Sequence, residues 1–295
     1  LRGAEGPPRG VDKPLTNRSV VRDLLQRHGL AADRSFGQNF LVDPSVLRAV
    51  VEAARLEGGE TVLEVGPGLG TLTRELARAA RRVVAVEVDA RLLPVLAETL
   101  AGLDDVEVVN ADALTFDLGT LPTGSVLASN LPYNVATPVI ARALESRRFA
   151  RLACLVQLEV GERLVARPGD EAFGALSLLV AHFGRARIVR TVPPGAFVPA
   201  PKVRSAVVAV EVDPVAEPRP DLFALVAASF AHRRKTLKRN LLMAGYGEEA
   251  VEAAIAGTGL DPRVRAERLG LEQFDALLRA LGPVPRRDGA RVGGD

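Results

Sequence analysis

Thr61-Val62-Leu63-Glu64-Val65-Gly66-Pro67-Gly68-Leu69-Gly70 decides the fold. An apolar run with strand character opens directly into three glycines, and a helix is expected over 71–81. Strand, glycine turn and helix make the first half of a βαβ nucleotide-binding unit, in which glycines let the backbone approach a ligand closely. A second strand, Val83-Val84-Ala85-Val86-Glu87, ends in a carboxylate about twenty residues beyond Gly66, where an acid binds ribose hydroxyls. The plainer reading of Glu87 is a solvated strand end. The glycine spacing is G-x-G-x-G, with Thr71 directly after Gly70. It differs from the G-x-G-x-x-G that cradles a pyrophosphate and favours a phosphate-free ligand such as S-adenosylmethionine.

The alternation continues outward. A helix over 92–100 leads to a third strand, 106–110, which runs into Ala111-Asp112-Ala113. Asp112 falls at the carboxyl edge and suits an adenine amine. A fourth strand, 125–129, delivers Asn130-Leu131-Pro132-Tyr133, with Pro132 as its stop because proline cannot donate to a sheet ladder. A helix over 136–146 and a fifth strand over 152–158 follow, then an apolar helix over 172–183. Two further β runs, 185–192 and 203–212, have no helix between them. The fold class is therefore α/β, a parallel sheet finished by an antiparallel hairpin. The proline-rich connection from Pro193 to Pro201 can carry Phe197 back toward the site.

Asn130 can accept a bond from an exocyclic amine, the Leu131 carbonyl can accept another, and Tyr133 can stack on a flat base. That is a site for chemistry on a nucleobase nitrogen. A strand-terminating turn with a half-buried tyrosine is the alternative.

With 295 residues, 47% hydrophobic and 25% charged, the chain has room for one large domain and a small one. A net charge of +2 does not argue for nucleic acid, but its distribution does. Acids are absent from 172–210 and from 222–247, and both windows carry arginine and lysine. Cys154 is the single cysteine, which excludes internal disulfides and cysteine zinc sites. His28, His182 and His232 have no metal-ligand spacing, so no metal is expected. No apolar run has membrane-spanning length and no signal pattern opens the chain, so a cytoplasmic location without membrane contact is the expectation.

Residues 1–16 are read as a disordered tail, 17–212 as the catalytic domain, 213–282 as a helical domain and 283–295 as a second tail. Asn17 caps a first helix carrying Val20, Val21, Leu24 and Leu25. The loop Phe36-Gly37-Gln38-Asn39-Phe40-Leu41 can fold over a ligand or simply join two helices, the second over 43–56. Prolines 214, 218 and 220 mark a linker. Beyond it, helices are expected over 222–230, 236–244, 248–255 and 271–281. Arg233, Arg234, Lys235, Lys238 and Arg239 put five positive charges into seven residues, a phosphate-binding pattern in place of a mixed solvated face.

Five motifs in order, at 36–41, 64–68, 130–133, 197–203 and 233–237, resemble the bacterial small-subunit ribosomal RNA adenine dimethyltransferases over about residues 17–281. The resemblance implies a class I methyltransferase (Rossmann-like) sheet plus a small all-helical C-terminal domain. It implies transfer of two methyl groups to N6 of each of two adjacent adenosines near the small-subunit RNA 3′ end. S-adenosylmethionine is the implied cofactor and the assembling small subunit the partner, with no obligate protein partner and a monomeric chain. Asn39, Leu41, Gly66, Gly68, Glu87, Asp112 and Asn130 match the family's cofactor-binding set. Asn130, Leu131, Pro132, Tyr133 and Phe197 form the implied target-base site. Rival readings are the related large-subunit RNA dimethyltransferase, a DNA adenine methyltransferase, and an RNA-binding assembly factor on an inactive fold.

Overall fold

A computed structural model describes residues 14–31 and 38–285. Phe36, Gly37, most of the expected N-terminal tail and all but the first residues of the C-terminal one lie outside them. The chain divides into two compact units. The first comprises the described part of Leu1–Val165 with Phe183–Val215; the second comprises Ala166–His182 with the described part of Ala216–Asp295. The sequence reading placed 166–182 in the first domain, and the contacts of this segment correct that assignment.

The first unit opens with α1 (Arg18–Arg27), whose N-cap Asn17 accepts from the Ser19 N–H. Then come β1 (Phe40–Leu41) and α2 (Pro44–Ala54), with Asp43 as N-cap and Pro44 at the first helical position. The alternation that follows is β2 (Thr61–Val65), α3 (Thr71–Ala77), β3 (Arg82–Glu87), α4 (Leu93–Thr99), β4 (Val106–Asn110), β5 (Ser125–Asn130), α5 (Ala136–Glu145) and β6 (Phe149–Gln157). After β6 come α6 (Leu158–Val165) and α7 (Ala175–Phe183), which lies almost wholly in the second unit. β7 (Gly184–Val192), β8 (Phe197–Val198) and β9 (Ser205–Val212) complete the first unit.

The seven-stranded sheet has the order β4-β3-β2-β5-β6-β9-β7. β2, β3, β4, β5 and β6 pair in parallel; β9 is antiparallel to both β6 and β7. All five residues of β2 are buried, as a strand covered on both faces should be. Chain order reverses beside β2, with β3 on one flank and β5 on the other. Ligands enter such open sheets at this switch point, beyond the carboxyl strand ends. The expected hairpin forms with one addition: β8 leaves the sheet and pairs antiparallel with β1, Leu41 opposite Phe197.

Helix α6 is absent from the sequence reading. Its Gly161 hides the apolar period, yet that glycine lets the helix sit against β9. A Cβ there would stand 3.1 Å from Ala206 and 3.3 Å from Val208.

The second unit gathers Phe173 and Leu178 with α8 (Pro220–Phe230), α9 (Leu237–Met243), α10 (Glu248–Gly257) and α11 (Leu271–Leu281). Phe173 and Phe230 meet edge-on with ring centroids 6.2 Å apart. Pro220, read as linker, is the first residue of α8.

Candidate functional site

The two decisive motifs touch. Gly66, Gly68 and Gly70 all have positive φ, at 69°, 59° and 81°. A Cβ on Gly66 would lie 2.9 Å from Pro132 Cγ, and one on Gly68 would lie 3.2 Å from the Phe40 ring. The turn after β2 is therefore packed under the tetrapeptide after β5 on one side and under β1 on the other. Ser129 Oγ donates to the Val65 carbonyl at 2.6 Å and joins the ends of the same two strands.

These ends, with that of β3, surround one cavity. Every residue expected to hold cofactor lines it: Asn39, Leu41, Gly66, Gly68, Glu87, Asp112 and Asn130. So do Leu131, Pro132 and Tyr133, whereas no Lys, Arg or His is among the described lining residues.

Asn130 Nδ2 donates to the Asn39 carbonyl at 3.1 Å, which leaves the amide oxygen as the free acceptor. Leu131 is buried, and its N–H donates to the Leu155 carbonyl at 3.0 Å. Tyr133 is half-buried with its hydroxyl 2.7 Å from the buried Ser205 Oγ, so its ring is tied to the start of β9. Burial pushes the Tyr133 phenol up, partly offset by that bond.

Glu87 is 4% exposed. Its carboxylate accepts the Asp89 N–H at 2.9 Å and the Gly68 N–H at 3.3 Å. Burial raises its pKa and these two bonds oppose the rise. Asp112 is exposed, with one oxygen taken by the Leu114 N–H at 2.8 Å.

Phe197 departs from expectation. It is fully buried, packed among Leu41, Ala196 and Val207, and does not line the cavity. The β1–β8 pairing turns its side chain into the core, so it offers no stacking face to a base.

The phosphate-binding candidates belong to the second unit. Arg233, Arg234 and Lys235 occupy a turn ahead of α9, whose N-cap is Thr236. Arg233 Nη2 donates to the Glu171 carbonyl at 2.6 Å. Lys238 is already held by two carboxylates, Glu248 at 2.8 Å and Glu252 at 2.5 Å. The run read as one basic helix is thus a turn with a short helix, and one of its charges is compensated.

Sequence reasoning passed over Glu64, Gln38, Asp89 and Ser205. Gln38 Nε2 donates to Asp89 at 2.8 Å, and Arg91 holds Asp89 with its Nε at 2.8 Å and its Nη2 at 2.9 Å. The Arg91 bonds keep the Asp89 carboxyl below its usual range. Glu64 lines the cavity and is 1% exposed, and among the described residues its Oε2 has no partner of hydrogen-bond geometry. Burial pushes its pKa up to about 8; Thr73 pulls the other way, and the Glu87 charge adds to the rise. A carboxylate inside an otherwise apolar strand was the visible signal.

The ribosomal RNA adenine dimethylase family matches residues 29–281. A ribosomal RNA small subunit methyltransferase A of Deinococcus radiodurans is 47% identical over 272 residues, covering 92% of this chain and 93% of the relative. The corresponding protein of Geobacillus thermodenitrificans is 40% identical, with 94% and 100% covered. Among solved structures, a dimethyladenosine transferase from Plasmodium falciparum superposes with a TM-score of 0.65 at 25% identity, covering 81% of this chain and 96% of that one. The 23S rRNA methyltransferase ErmE gives a TM-score of 0.61 at 31% identity, with 82% and 99% covered. The matched motifs, the sheet order and the cavity at its switch point agree, and the chain belongs to the ribosomal RNA adenine dimethylase family of S-adenosylmethionine-dependent methyltransferases.

Proposed function

We propose that this chain dimethylates N6 of two adjacent adenosines in the 3′-terminal hairpin loop of small-subunit ribosomal RNA. The observation that carries the reading is the anchored amide of Asn130. With Nδ2 committed to the Asn39 carbonyl, the amide oxygen is the acceptor offered to an incoming amine.

The residues present fit the cofactor. The positive-φ glycines give close backbone approach, and Glu87 provides carboxylate oxygens for ribose hydroxyls. Among the described residues the lining carries no cation, which suits a ligand without phosphates. S-adenosylmethionine supplies an electrophilic methyl group when bound. In this reading Glu87, Asp112, Asn39 and Leu41 hold it beside the glycine turn. Asn130 and the Leu131–Pro132 backbone take the amine protons and favour a pyramidal nitrogen. Tyr133, fixed through Ser205, stacks on the base. An adenine amine is a poor nucleophile because its lone pair is delocalised, so orientation and electrostatics do most of the work. No strong general base is required, because the product ammonium is itself acidic. Arg233, Arg234, Lys235 and Arg239 contact RNA phosphates.

The small-subunit target is favoured over the large-subunit one by 47% and 40% identity to small-subunit enzymes, against 31% to ErmE. Labelled S-adenosylmethionine supplied in parallel to under-methylated small subunits, naked small-subunit RNA and large subunits tests this. Label should appear in N6,N6-dimethyladenosine of small-subunit RNA. Label confined to large subunits would overturn the reading.

A further inference from the structure

The acid-free window 172–210 contains Arg185, Arg187, Arg190, Lys202 and Arg204, and all five are exposed. Elsewhere in the first unit, cations are commonly paired: Arg27 with Asp23 and Glu98, Arg55 with Glu211, Arg78 with Glu75, Arg82 with Glu107, Arg151 with Glu60. Among the described residues none of these five forms an ion pair. Arg190 donates to the Ser45 carbonyl at 3.1 Å, near enough to Asp43 to help hold that carboxyl below its usual range, without forming an ion pair with it. Glu211 stands opposite Arg185 in the β7–β9 register, but Arg55 has claimed it.

Their placement is ordered. β7 is the outermost strand of the sheet, with one flank unpaired. It is antiparallel to β9 and so runs in the same sense as β5, bringing Val192 to the end where the cavity opens. Arg190 lies near that end and Arg187 and Arg185 follow down the strand, a run of about 16 Å at ~3.3 Å per residue. Lys202 and Arg204 precede Ser205, which pairs with both Gln157 and Val192, so they too flank the cavity end.

We infer that this outer edge is a phosphate-binding track, taking the RNA strand that leads away from the target adenosine. Charges also protect sheet edges from pairing with another chain. Edge protection needs no single sign, however, and does not explain why the window 172–210 carries five cations and no acid. Unpaired cations of one sign in a row complement a polyanion. The track belongs to the first unit and the basic turn before α9 to the second, and the track rests on the reading that ribosomal RNA is the substrate.

The test uses the full chain with under-methylated small-subunit RNA, binding being measured at several salt concentrations. R185Q/R187Q and K202Q/R204Q remove charge and leave shorter polar side chains; R185K/R187K keeps the charge. Each Gln pair should flatten the plot of log affinity against log salt by about 1.4, from about 0.7 per lost single-strand contact. The Lys pair should retain the wild-type slope, and cofactor affinity measured by calorimetry should not change in any variant. Superimposable slopes, with wild type binding and methylating normally, would overturn the track and leave the proposed function standing. The track is overturned equally if the Gln pairs self-associate in sedimentation with unchanged slopes, since the arginines would then be edge protectors. If wild type itself neither binds nor methylates small-subunit RNA, the proposed function fails and the track fails with it.

Discussion

Glu64→Gln changes one oxygen to nitrogen in the middle of β2 and should stabilise the cofactor-free protein at neutral pH. Burial holds the Glu64 carboxyl protonated up to about pH 8, against an ordinary value of 4.5. Below 4.5 the carboxyl carries its proton in both folded and unfolded chains, and pH has no leverage through it. Between 4.5 and 8 the unfolded chain releases the proton while the folded one retains it. Rising pH therefore favours unfolding by about 1.4 kcal/mol per pH unit. At pH 7 the accumulated deficit against an uncharged amide is about 3 kcal/mol. Glutamine fills almost the same volume and does not titrate, so the deficit vanishes in the variant. Urea unfolding of both proteins at intervals from pH 5 to 8.5 gives the difference directly, and titrations elsewhere in the chain cancel. The gap should widen steadily with pH and level off above 8. A gap that stays flat across this range would show that Glu64 is ionised or hydrated in the folded state.

Glu87→Ala should weaken S-adenosylmethionine binding by about 1.5–3 kcal/mol, the range for hydrogen bonds to a charged group; unchanged affinity in calorimetry would remove Glu87 from the ribose site. Asn130→Ala should lower single-turnover methylation much more than RNA affinity, because its bond strengthens as the nitrogen pyramidalises, and equal losses would make it a docking residue. Arg233→Ala with Arg234→Ala should flatten the salt dependence of RNA binding by about 0.7 log units per lost contact, whereas Lys238→Ala should leave the slope near wild type. A Lys238→Ala slope change as large as the Arg pair's would show that RNA displaces Glu248 and Glu252.

The sheet was legible because β2 and β3 are short apolar runs ending at glycines or an acid, a local pattern that tertiary context did not need to complete. β4 and α11 were likewise readable at their boundaries. Helix α6 was not, because Gly161 is there for its fit against Ala206 and Val208, and that fit depends on β9, far along the chain. The cavity's lining was read from residue types in motifs, so every expected cofactor residue lies around it. What escaped was the pairing between motifs. Nothing in the run from Pro193 to Pro201 says that β8 will pair with β1 and turn Phe197 inward, nor that Ser205 will hold the Tyr133 hydroxyl. Lys238 counted as a free cation because Glu248 and Glu252 follow it only after a turn.

The chain passes between its two units three times, after Val165, after His182 and after Val215. During synthesis Phe173 and Leu178 leave the ribosome before the sheet has received β7 and β9, and well before α8 and α11 exist to cover them. The first unit is complete at Val215, whereas the second, begun at Ala166, must wait for the chain beyond Ala216, unlike domains strung end to end. The nascent chain has to carry an uncovered apolar segment through the completion of the sheet, and a fragment cut near residue 213 would leave that segment exposed for good. Separate expression of the two halves is therefore expected to fail, because each cut leaves Phe173 and Leu178 without the helices that cover them.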